Sequence, residues 1–260
     1  MQAGFEKVRL GEIHAHKITM DQAIDHIETL CLTQQGGFVV TPNVDHVCLA
    51  ESDAKLREAY RQAALSLVDG TPLLWLAQAM GEPFPEKISG SDLVLPLMKR
   101  AAEQHLSVYF LGGQEHVGPK AKEVLEKKFP KLRIVGMHSP PLGFEKNAAQ
   151  SAEVIQRIQD TKPHILLVAL GCPKQEKWML DNQAAFAPAV ALGIGATLDF
   201  IAGAVRRSPA WMSRVGLEWV YRLAQEPKRM AERYLVRDRA IVGIAWRMMR
   251  LPKTQRLKGP

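Results

Sequence analysis

The stretch HILLVALGCPKQEKWMLDNQAA, residues 164–185, decides the fold class of this 260-residue chain. Its first part is almost continuously apolar, which is typical of a strand covered on both faces in a parallel sheet. A short turn of small residues separates that run from a polar segment with helical character, which begins at Lys174. The stretch therefore predicts a strand at Ile165–Leu170 followed by a helix at Lys174–Ala185.

The same alternation of short apolar runs and helical patterns continues through the first 200 residues. The other strand candidates are aliphatic and bounded by Gly, Pro or Asp. They are Gly37–Thr41, Leu65–Val68, Val108–Leu111, Arg133–Gly136 and Val190–Ile194. Helical patterns cover about 20–32, 44–63, 72–80, 92–104, 115–128 and 148–160. This order predicts an α/β fold with a three-layer, doubly wound, mainly parallel sheet.

The pattern changes after about residue 202, where strand signals stop. The net charge of the chain is +7, and residues 203–260 alone contain 14 Lys or Arg against 4 Asp or Glu. Such an asymmetry indicates an anionic or phosphate-rich partner for that segment. We therefore predict a core at 1–202 and a basic helical C-terminal appendage at 203–260, which docks on an anionic surface such as a membrane.

Several protein classes are disfavoured by composition. No stretch approaches the ~18 uninterrupted apolar residues of a membrane span, and the first residues lack the apolar core of a signal peptide. The three cysteines match no metal pattern, and their odd number argues against a disulfide framework. We expect a cytoplasmic protein, peripheral on the inner face of the membrane. There is no D-x-D motif and no metal-ligand spacing, so we expect no metal and no cofactor.

Five loops of small and polar residues follow predicted strands, beginning at Thr41, Asp69, Gly112, Gly171 and Gly195. Because ligands bind at the carboxyl ends of the strands in open parallel sheets, we expect these loops to converge. Glycine lets backbone N–H groups approach phosphate oxygens, although α/β turns also use it for chain reversal alone. The sequence contains neither the dinucleotide-binding fingerprint nor a P-loop.

Two carboxylates in these loops are candidates for chemistry. Asp69 follows the apolar run LSLV and precedes Gly70. This sequence places its carboxylate at a rigid strand end, a position suited to a base that takes a proton from a sugar hydroxyl. It also precedes Thr-Pro, where Asp commonly caps a helix, and both interpretations stay open. Asp199 lies in the apolar stretch GIGATLDFIAGA, where it can contact a ribose or base, or pair with an arginine.

Arginines of the tail are interleaved with Trp and Tyr. Arginine binds phosphate oxygens in a bidentate way, whereas Trp and Tyr favour the lipid headgroup zone. In RDRAIVGIAWRMMRL, residues 237–251, apolar side chains fall on one helical stripe with Arg on the flanks. That pattern is typical of an interfacial amphipathic helix. A helix packed on the sheet with a solvated basic face shows the same pattern.

On these residues the chain resembles the WecG/TagA/CpsF glycosyltransferases. The matching stretches include LVDGTPLLWLAQAMG, LVALGCPKQEKWM and GIGATLDFIAGAVRRSPAWM, in the same order and spacing over about residues 10–236. The resemblance implies an inverting, metal-independent transfer from a UDP-sugar donor to an undecaprenyl-diphosphate-linked sugar in cell-surface polysaccharide synthesis. The candidate donors are UDP-N-acetylmannosamine and UDP-glucose.

The resemblance also assigns roles to residues. Asp69 is the expected base, and Thr41 is expected close to the reacting sugars. The resemblance and the strand-end loops together give the donor-binding candidates Asn43, Lys87, Gly90, Asp92, Gly112, Gly113, Gly171, Pro173, Lys174, Gln175, Glu176, Gly195, Thr197 and Asp199. The resemblance further implies that the appendage at 203–260 completes the active site and docks on the membrane. The candidates for diphosphate or lipid binding are Arg206, Arg207, Arg222, Arg229 and Arg233. Lys87 departs from the family, which usually has Arg there.

Two other hypotheses stay open. The first is a membrane-docked protein that binds a nucleotide-sugar without turnover. The second is a basic nucleic-acid-binding protein, as a pI near 9.4 suggests. Steep salt dependence of DNA or RNA binding would identify the latter. No known nucleic-acid-binding module is visible, so nucleic acid is not an expected partner. A homo-oligomer is compatible with the sequence.

Overall fold

The computed structural model of the chain describes residues 4–209, 212, 217–225, 227 and 238–257, without the side chains of Arg222 and Lys253. The strands are β1 (Lys7–Leu10), β2 (Ile13–His16), β3 (Gly37–Val40), β4 (Leu65–Ser66), β5 (Ser107–Gly112), β6 (Arg133–His138), β7 (Ile165–Ala169) and β8 (Val190–Gly193). The first nine helices are α1 (Met20–Leu32), α2 (Val44–Ala50), α3 (Ala54–Gln62), α4 (Thr71–Ala79), α5 (Gly90–Glu103), α6 (Val117–Lys128), α7 (Ala148–Thr161), α8 (Lys174–Phe186) and α9 (Thr197–Ala202). In the C-terminal part follow α10 (Glu218–Gln225), α11 (Ile241–Met249) and α12 (Lys253–Arg256).

The chain forms two compact units that interleave along the sequence. The first unit comprises Met1–Thr19, Thr41–Ser89 and Arg206–Pro260, and the second comprises Met20–Val40 and Gly90–Val205. The predicted boundary near residue 202 lies close to Arg206, where the chain returns to the first unit. The assignment of residues 203–260 as a functional appendage stays a prediction.

The second unit contains a sheet in which the strands lie in the order β3-β8-β7-β5-β6. Every neighbouring pair is parallel, with β7 at the centre of the sheet. All residues of β5 and β8 are buried, as are the first four residues of β7. Because both faces of these strands are covered, their sequences are apolar without alternation. The prediction made from HILLVAL is confirmed.

Helices form a layer on each face of this sheet. One layer contains α1, α5, α9 and α6 as consecutive neighbours, and α7 packs with α8 in the other. In α1 the buried residues are Ala23, Ile24, Ile27, Leu30 and Cys31, the spacing of one helical face. From β5 the chain moves outward to β6 and then returns to β7 on the other side. A right-handed crossover therefore places the following helices on the opposite face. The predicted three-layer, doubly wound α/β fold is confirmed.

The first unit begins with an antiparallel hairpin that the sequence patterns did not predict. β1 pairs with β2 across a two-residue turn, Gly11-Glu12, in which Gly11 has φ +64°. Tight hairpin turns require positive φ, which glycine adopts without strain. The single helix predicted over 44–63 is wrong, because Asp53 accepts a hydrogen bond from the Leu56 N–H and starts a new helix.

The C-terminal helix α11 packs against α2 in the first unit. Ile244 and Met248 on its inner face are buried. Arg247 reinforces the contact through an ion pair with Glu51 at 2.6 Å. Within the described residues, no helix combines the length and apolarity needed to cross a membrane.

His14 makes the first unit sensitive to acid. Burial, with a smaller contribution from the charge of Lys7, lowers the pKa of His14 to about 4. In the unfolded chain this pKa is about 6.5, so below that pH the unfolded state binds more protons than the folded state. We expect the free energy of unfolding to fall by about 1 kcal/mol per pH unit between about pH 6 and pH 4. Urea unfolding across this range measures the slope. His14→Leu should reduce the slope, and burial of His26 and His138, which also lowers their pKa values, accounts for part of what remains. An unchanged slope would contradict the assignment.

Candidate active site

Backbone hydrogen bonds in the first unit hold Asp69 between two other segments. The Asp69 N–H donates to the Pro42 carbonyl at 2.8 Å, and the Ile88 N–H donates to the Val68 carbonyl at 2.8 Å. The segments 41–43, 67–70 and 87–89 therefore lie side by side. This arrangement brings the predicted residues Thr41, Asn43 and Lys87 into the neighbourhood of Asp69.

The capping position of α4 is occupied by Gly70, one residue after Asp69. Gly70 has φ +101°, and Pro72 lies in the first turn of the helix. A Cβ at Gly70 would make ordinary contacts with Asn43 Cβ and Pro72 Cδ, each at 3.9 Å, so no atom crowds this position. Asp69 is half-buried and lies one residue before the N-cap position of α4. Both interpretations of its side chain, as a base and as a helix cap, stay open.

Asn43 has a structural role at the start of α2. Its side-chain oxygen accepts from the backbone N–H groups of Asp45 at 3.1 Å and His46 at 3.4 Å. The Nδ1 atom of His46 lies 2.8 Å from the same oxygen, and the pair forms a capping box. Sequence reasoning missed His46 as a neighbour of the site, although the spacing Asn-x-x-His was its signal. Thr41, just before this cap, is buried.

Lys87 connects this region to the C-terminal helix α10. Its Nζ lies 3.9 Å from Glu218 Oε2, with exposed side-chain fractions of 17% and 32%. At the other end of α10, the Gln225 side chain donates to the Arg206 carbonyl at 3.2 Å. The side chains of Arg206 and Arg207 are exposed. The side chain of Arg222 and the whole of Arg229 and Arg233 lie outside the described residues.

In the second unit, two predicted glycines lie at the carboxyl end of β5, beside the end of β7. Gly112 has φ +96°, and a Cβ there would lie 2.6 Å from the Ala169 carbonyl oxygen. The Gly113 N–H donates to the same oxygen at 3.1 Å. Glycine at these positions lets the ends of the two strands approach each other closely. This structural role explains both glycines without a ligand. A phosphate contact by the Gly113 N–H would therefore have to replace an existing hydrogen bond.

The loop that follows β7 combines an open glycine with a buried polar pair. Gly171 has φ +75°, and a Cβ there would meet nothing within 4 Å. After Pro173, Lys174 is exposed and lies 3.8 Å from Glu145. Gln175 and Glu176 are buried instead, and the Gln175 Nε2 donates to Glu176 Oε1 at 2.8 Å. The polar groups of these two residues therefore face the protein interior.

The loop that follows β8 approaches the start of α5. A Cβ at Gly90 would lie 3.3 Å from Ile194 Cα, which places Asp92 of the first α5 turn in the same region. The Thr197 hydroxyl donates to the Ile194 carbonyl at 2.5 Å. Gly195 has φ +53°, and Asp199, which is half-buried, lies in the first turn of α9. The second unit thus gathers the predicted residues of β8–α9 and α5 into one cluster.

Comparison with known proteins identifies the class of enzyme. The model of the glycosyl transferase WecG/TagA/CpsF family matches residues 8–256. The chain belongs to this family. A protein of Bacillus spizizenii, described as N-acetylglucosaminyldiphosphoundecaprenol N-acetyl-beta-D-mannosaminyltransferase, is 32% identical over 207 residues, 79% of this chain and 78% of that protein. A Staphylococcus aureus (strain MRSA252) protein of the same description is 29% identical over 226 residues, 86% of this chain and 87% of that protein.

The chain is therefore a glycosyltransferase. Family membership confirms the resemblance stated from the sequence. It favours an enzyme over a nucleotide-sugar-binding protein without turnover, and over a nucleic-acid-binding protein. The roles of individual site residues stay predictions, because membership alone does not assign them.

Proposed function

We propose that this glycosyltransferase moves an N-acetylhexosamine or hexose from a UDP-sugar to a polyprenyl-diphosphate-linked sugar in the synthesis of a cell-surface polysaccharide. The observation that carries the proposal is the similarity to two relatives over most of their length. Both are described as N-acetylmannosaminyltransferases that act on N-acetylglucosaminyl-diphosphoundecaprenol. UDP-N-acetylmannosamine is accordingly the first donor to test, with UDP-glucose as the second.

The proposed chemistry is one displacement at the anomeric carbon. Asp69 takes the proton from the acceptor hydroxyl, whose oxygen forms a bond to the anomeric carbon. The bond from that carbon to the donor phosphate oxygen breaks, and UDP leaves with the electron pair. Because the acceptor enters opposite UDP, the configuration inverts, and no metal is required in this scheme. The half-buried position of Asp69, beside the segments of Thr41 and Lys87, supports its assignment.

Cationic side chains of the first unit are the proposed stabilisers of the departing diphosphate. Lys87 is mostly buried and lies near the segment of Asp69. Its partner Glu218 belongs to α10, the helix that also contains Arg222 one turn further on. This contact supports a role of α10 in the site, with Arg222, Arg229 and Arg233 as the proposed diphosphate ligands.

Release of UDP that depends on the acceptor tests the proposed function. Wild-type enzyme is mixed with each UDP-sugar, with and without a short polyprenyl-diphosphate N-acetylglucosamine, and UDP is quantified over time. We expect release only when the acceptor is present. A protein that binds the donor without turnover would release no UDP in either mixture, which would contradict the proposal.

We further propose that α11 places the enzyme on the cytoplasmic membrane surface. Its outward residues Val242, Trp246 and Met249 have exposed fractions of 73%, 55% and 46%. Their spacing of four and three residues puts them on one helical stripe. The Arg250 guanidinium lies 3.5 Å from the centroid of the Trp246 ring, so a cation accompanies the stripe. An apolar stripe flanked by arginine suits an anionic lipid interface.

Trp246→Glu should weaken binding to vesicles of phosphatidylglycerol and phosphatidylethanolamine by about tenfold or more. Removing a large side chain from the lipid interface costs about 1.5–3 kcal/mol. Sedimentation with vesicles measures the bound fraction. Leu32→Glu is the matched control, because Leu32 is 57% exposed in the other unit and should have little effect. Equal losses in both variants would show a general effect of charge and would refute the role of α11.

A further inference from the structure

Gln175 is a buried amide that connects two loops of the second unit. It lies in the first turn of α8 and is 3% exposed. Its Oε1 accepts a hydrogen bond from the Gly195 N–H at 3.1 Å, across twenty residues of sequence. Its Nε2 donates to Glu176 Oε1 at 2.8 Å, which fixes the orientation of the amide. The loop after β7 therefore holds the loop after β8 through one side chain.

The loop after β8 is held at three consecutive points. The Ile194 N–H donates to the Val168 carbonyl at 2.9 Å, and the Ile194 carbonyl accepts from Thr197. Directly after these two groups, the Gly195 N–H donates to Gln175. Main-chain bonds and Thr197 therefore hold Ile194, and Gln175 holds the adjacent N–H of Gly195. Loss of the Gln175 amide would remove the Gly195 bond and leave those of Ile194 in place.

Gly193 preserves the space that the amide occupies. A Cβ at Gly193 would lie 2.8 Å from Gln175 Nε2 and 3.1 Å from Met179 Cε. Gly193 belongs to β8, where ordinary strand geometry accepts any residue. The close contact with Gln175, and not the backbone conformation, is therefore what a side chain at 193 would disturb.

We propose that Gln175 is a positioning residue, which sets the backbone from Gly195 to Asp199 for the donor nucleotide without touching the donor itself. The proposal rests on the proposed function and on the family resemblance, which makes Gly195, Thr197 and Asp199 donor-binding candidates. It changes the role that the family resemblance implied for Gln175 from donor contact to loop support. Small displacements of binding groups have large effects on ligand affinity and rate, up to about 10² for 1 Å.

Two variants disturb the same amide in different ways. Gln175→Met keeps the length of the side chain and removes its hydrogen bonds, whereas Gly193→Ala leaves Gln175 in place and pushes its amide aside. We expect both to raise the Kd for UDP and the KM for the donor by about tenfold, within the range expected for a sub-ångström displacement. The acceptor KM and the kcat at saturating donor should change less than about twofold, because Asp69 is not displaced.

Gly118→Ala is the matched control. Its Cβ would lie 3.4 Å from Met137 Sδ, an ordinary contact with a flexible side chain, so UDP binding should be unchanged. Two outcomes would overturn the proposal. If Gln175→Met weakens UDP binding and Gly193→Ala does not, Gln175 acts by direct contact. If both variants lower the unfolding temperature and leave the UDP Kd unchanged, the amide is only a structural support.

Hydrogen exchange at the Gly195 amide provides a readout that needs neither catalysis nor UDP. In Gln175→Met this N–H should exchange at least about tenfold faster, while the Ile194 N–H, bound to Val168, keeps its protection. Unchanged exchange at Gly195 would also overturn the proposal. If the wild type released no UDP with any donor while Gly195 responded as expected, the proposed function would fail and the loop support would stand.

Discussion

Asp69→Asn is expected to lower kcat by about 10²–10⁴-fold, the usual contribution of a general base. Asparagine has nearly the shape of aspartate but cannot take the proton of the acceptor hydroxyl. The Asp69 backbone N–H bond to Pro42 does not depend on the side chain, so the three neighbouring segments should keep their places. The Kd for UDP should therefore stay within about twofold of the wild-type value, since the base acts on the acceptor.

Pre-steady-state transfer and UDP titration of the same preparation separate these two quantities. Asp21→Asn is the control, because Asp21 is an exposed residue of α1 and should have wild-type kcat. Wild-type turnover in Asp69→Asn would show that the base is elsewhere. Loss of UDP affinity in parallel with kcat would show that Asp69 holds the donor instead.

Gly112→Ala is expected to lower the free energy of unfolding by about 3 kcal/mol or more. Two costs combine at this position. A non-glycine residue at φ +96° costs about 1–2 kcal/mol, and the new Cβ would lie 2.6 Å from the backbone oxygen of Ala169, which cannot move without separating β5 from β7. Urea unfolding of the purified variant measures the loss.

Gly143→Ala separates the two costs. Gly143 has φ +84°, and a Cβ there would meet nothing within 4 Å, so only the conformational cost applies. We expect a loss of about 1 kcal/mol for this variant. Equal losses at Gly112 and Gly143 would show that the approach of β5 to β7 is not as close as described.

The sheet could be predicted from the sequence because its signal is local. A buried parallel strand needs apolar residues along its whole length. The sequence of β7, ILLVA, is entirely apolar, and that of β5, SVYFLG, is nearly so. The hairpin of β1 and β2 was missed although its signal was also present. Val8 and Leu10 alternate with half-buried residues, and a glycine with positive φ follows them. The residues are mostly polar or small in β2, which concealed the alternation.

Other features depend on contacts that a single sequence does not show. The helix break at Asp53 depends on whether its side chain turns back to cap, which an amphipathic pattern over 44–63 does not reveal. The composition of the first unit from three separate segments depends on packing between residues far apart in sequence. The sequence identified Gln175 as a donor-binding candidate, but its hydrogen bond to Gly195 is visible only in the structure.

The candidate site was predictable as a set of loops and less so as a set of roles. The segments of Thr41 and Asp69 lie side by side, as expected for loops at neighbouring strand ends. The segment of Lys87 also lies beside them, although it follows a helix and not a strand. Only the structure shows that Asn43 caps α2 and that the Gly113 N–H already donates to the Ala169 carbonyl. The type of a residue determines which interactions its side chain can make. Its burial determines whether those interactions are made with a ligand or within the protein.

Product mass measured in one donor screen tests the central claim most directly. Wild-type enzyme and Asp69→Asn are incubated with UDP-N-acetylmannosamine, UDP-N-acetylglucosamine and UDP-glucose, each with the polyprenyl-diphosphate N-acetylglucosamine acceptor. We predict an acceptor heavier by one sugar residue for wild type with at least one donor, and almost none for Asp69→Asn with the same donor. An unchanged acceptor mass with every donor, or equal product from both proteins, would contradict sugar transfer that depends on Asp69.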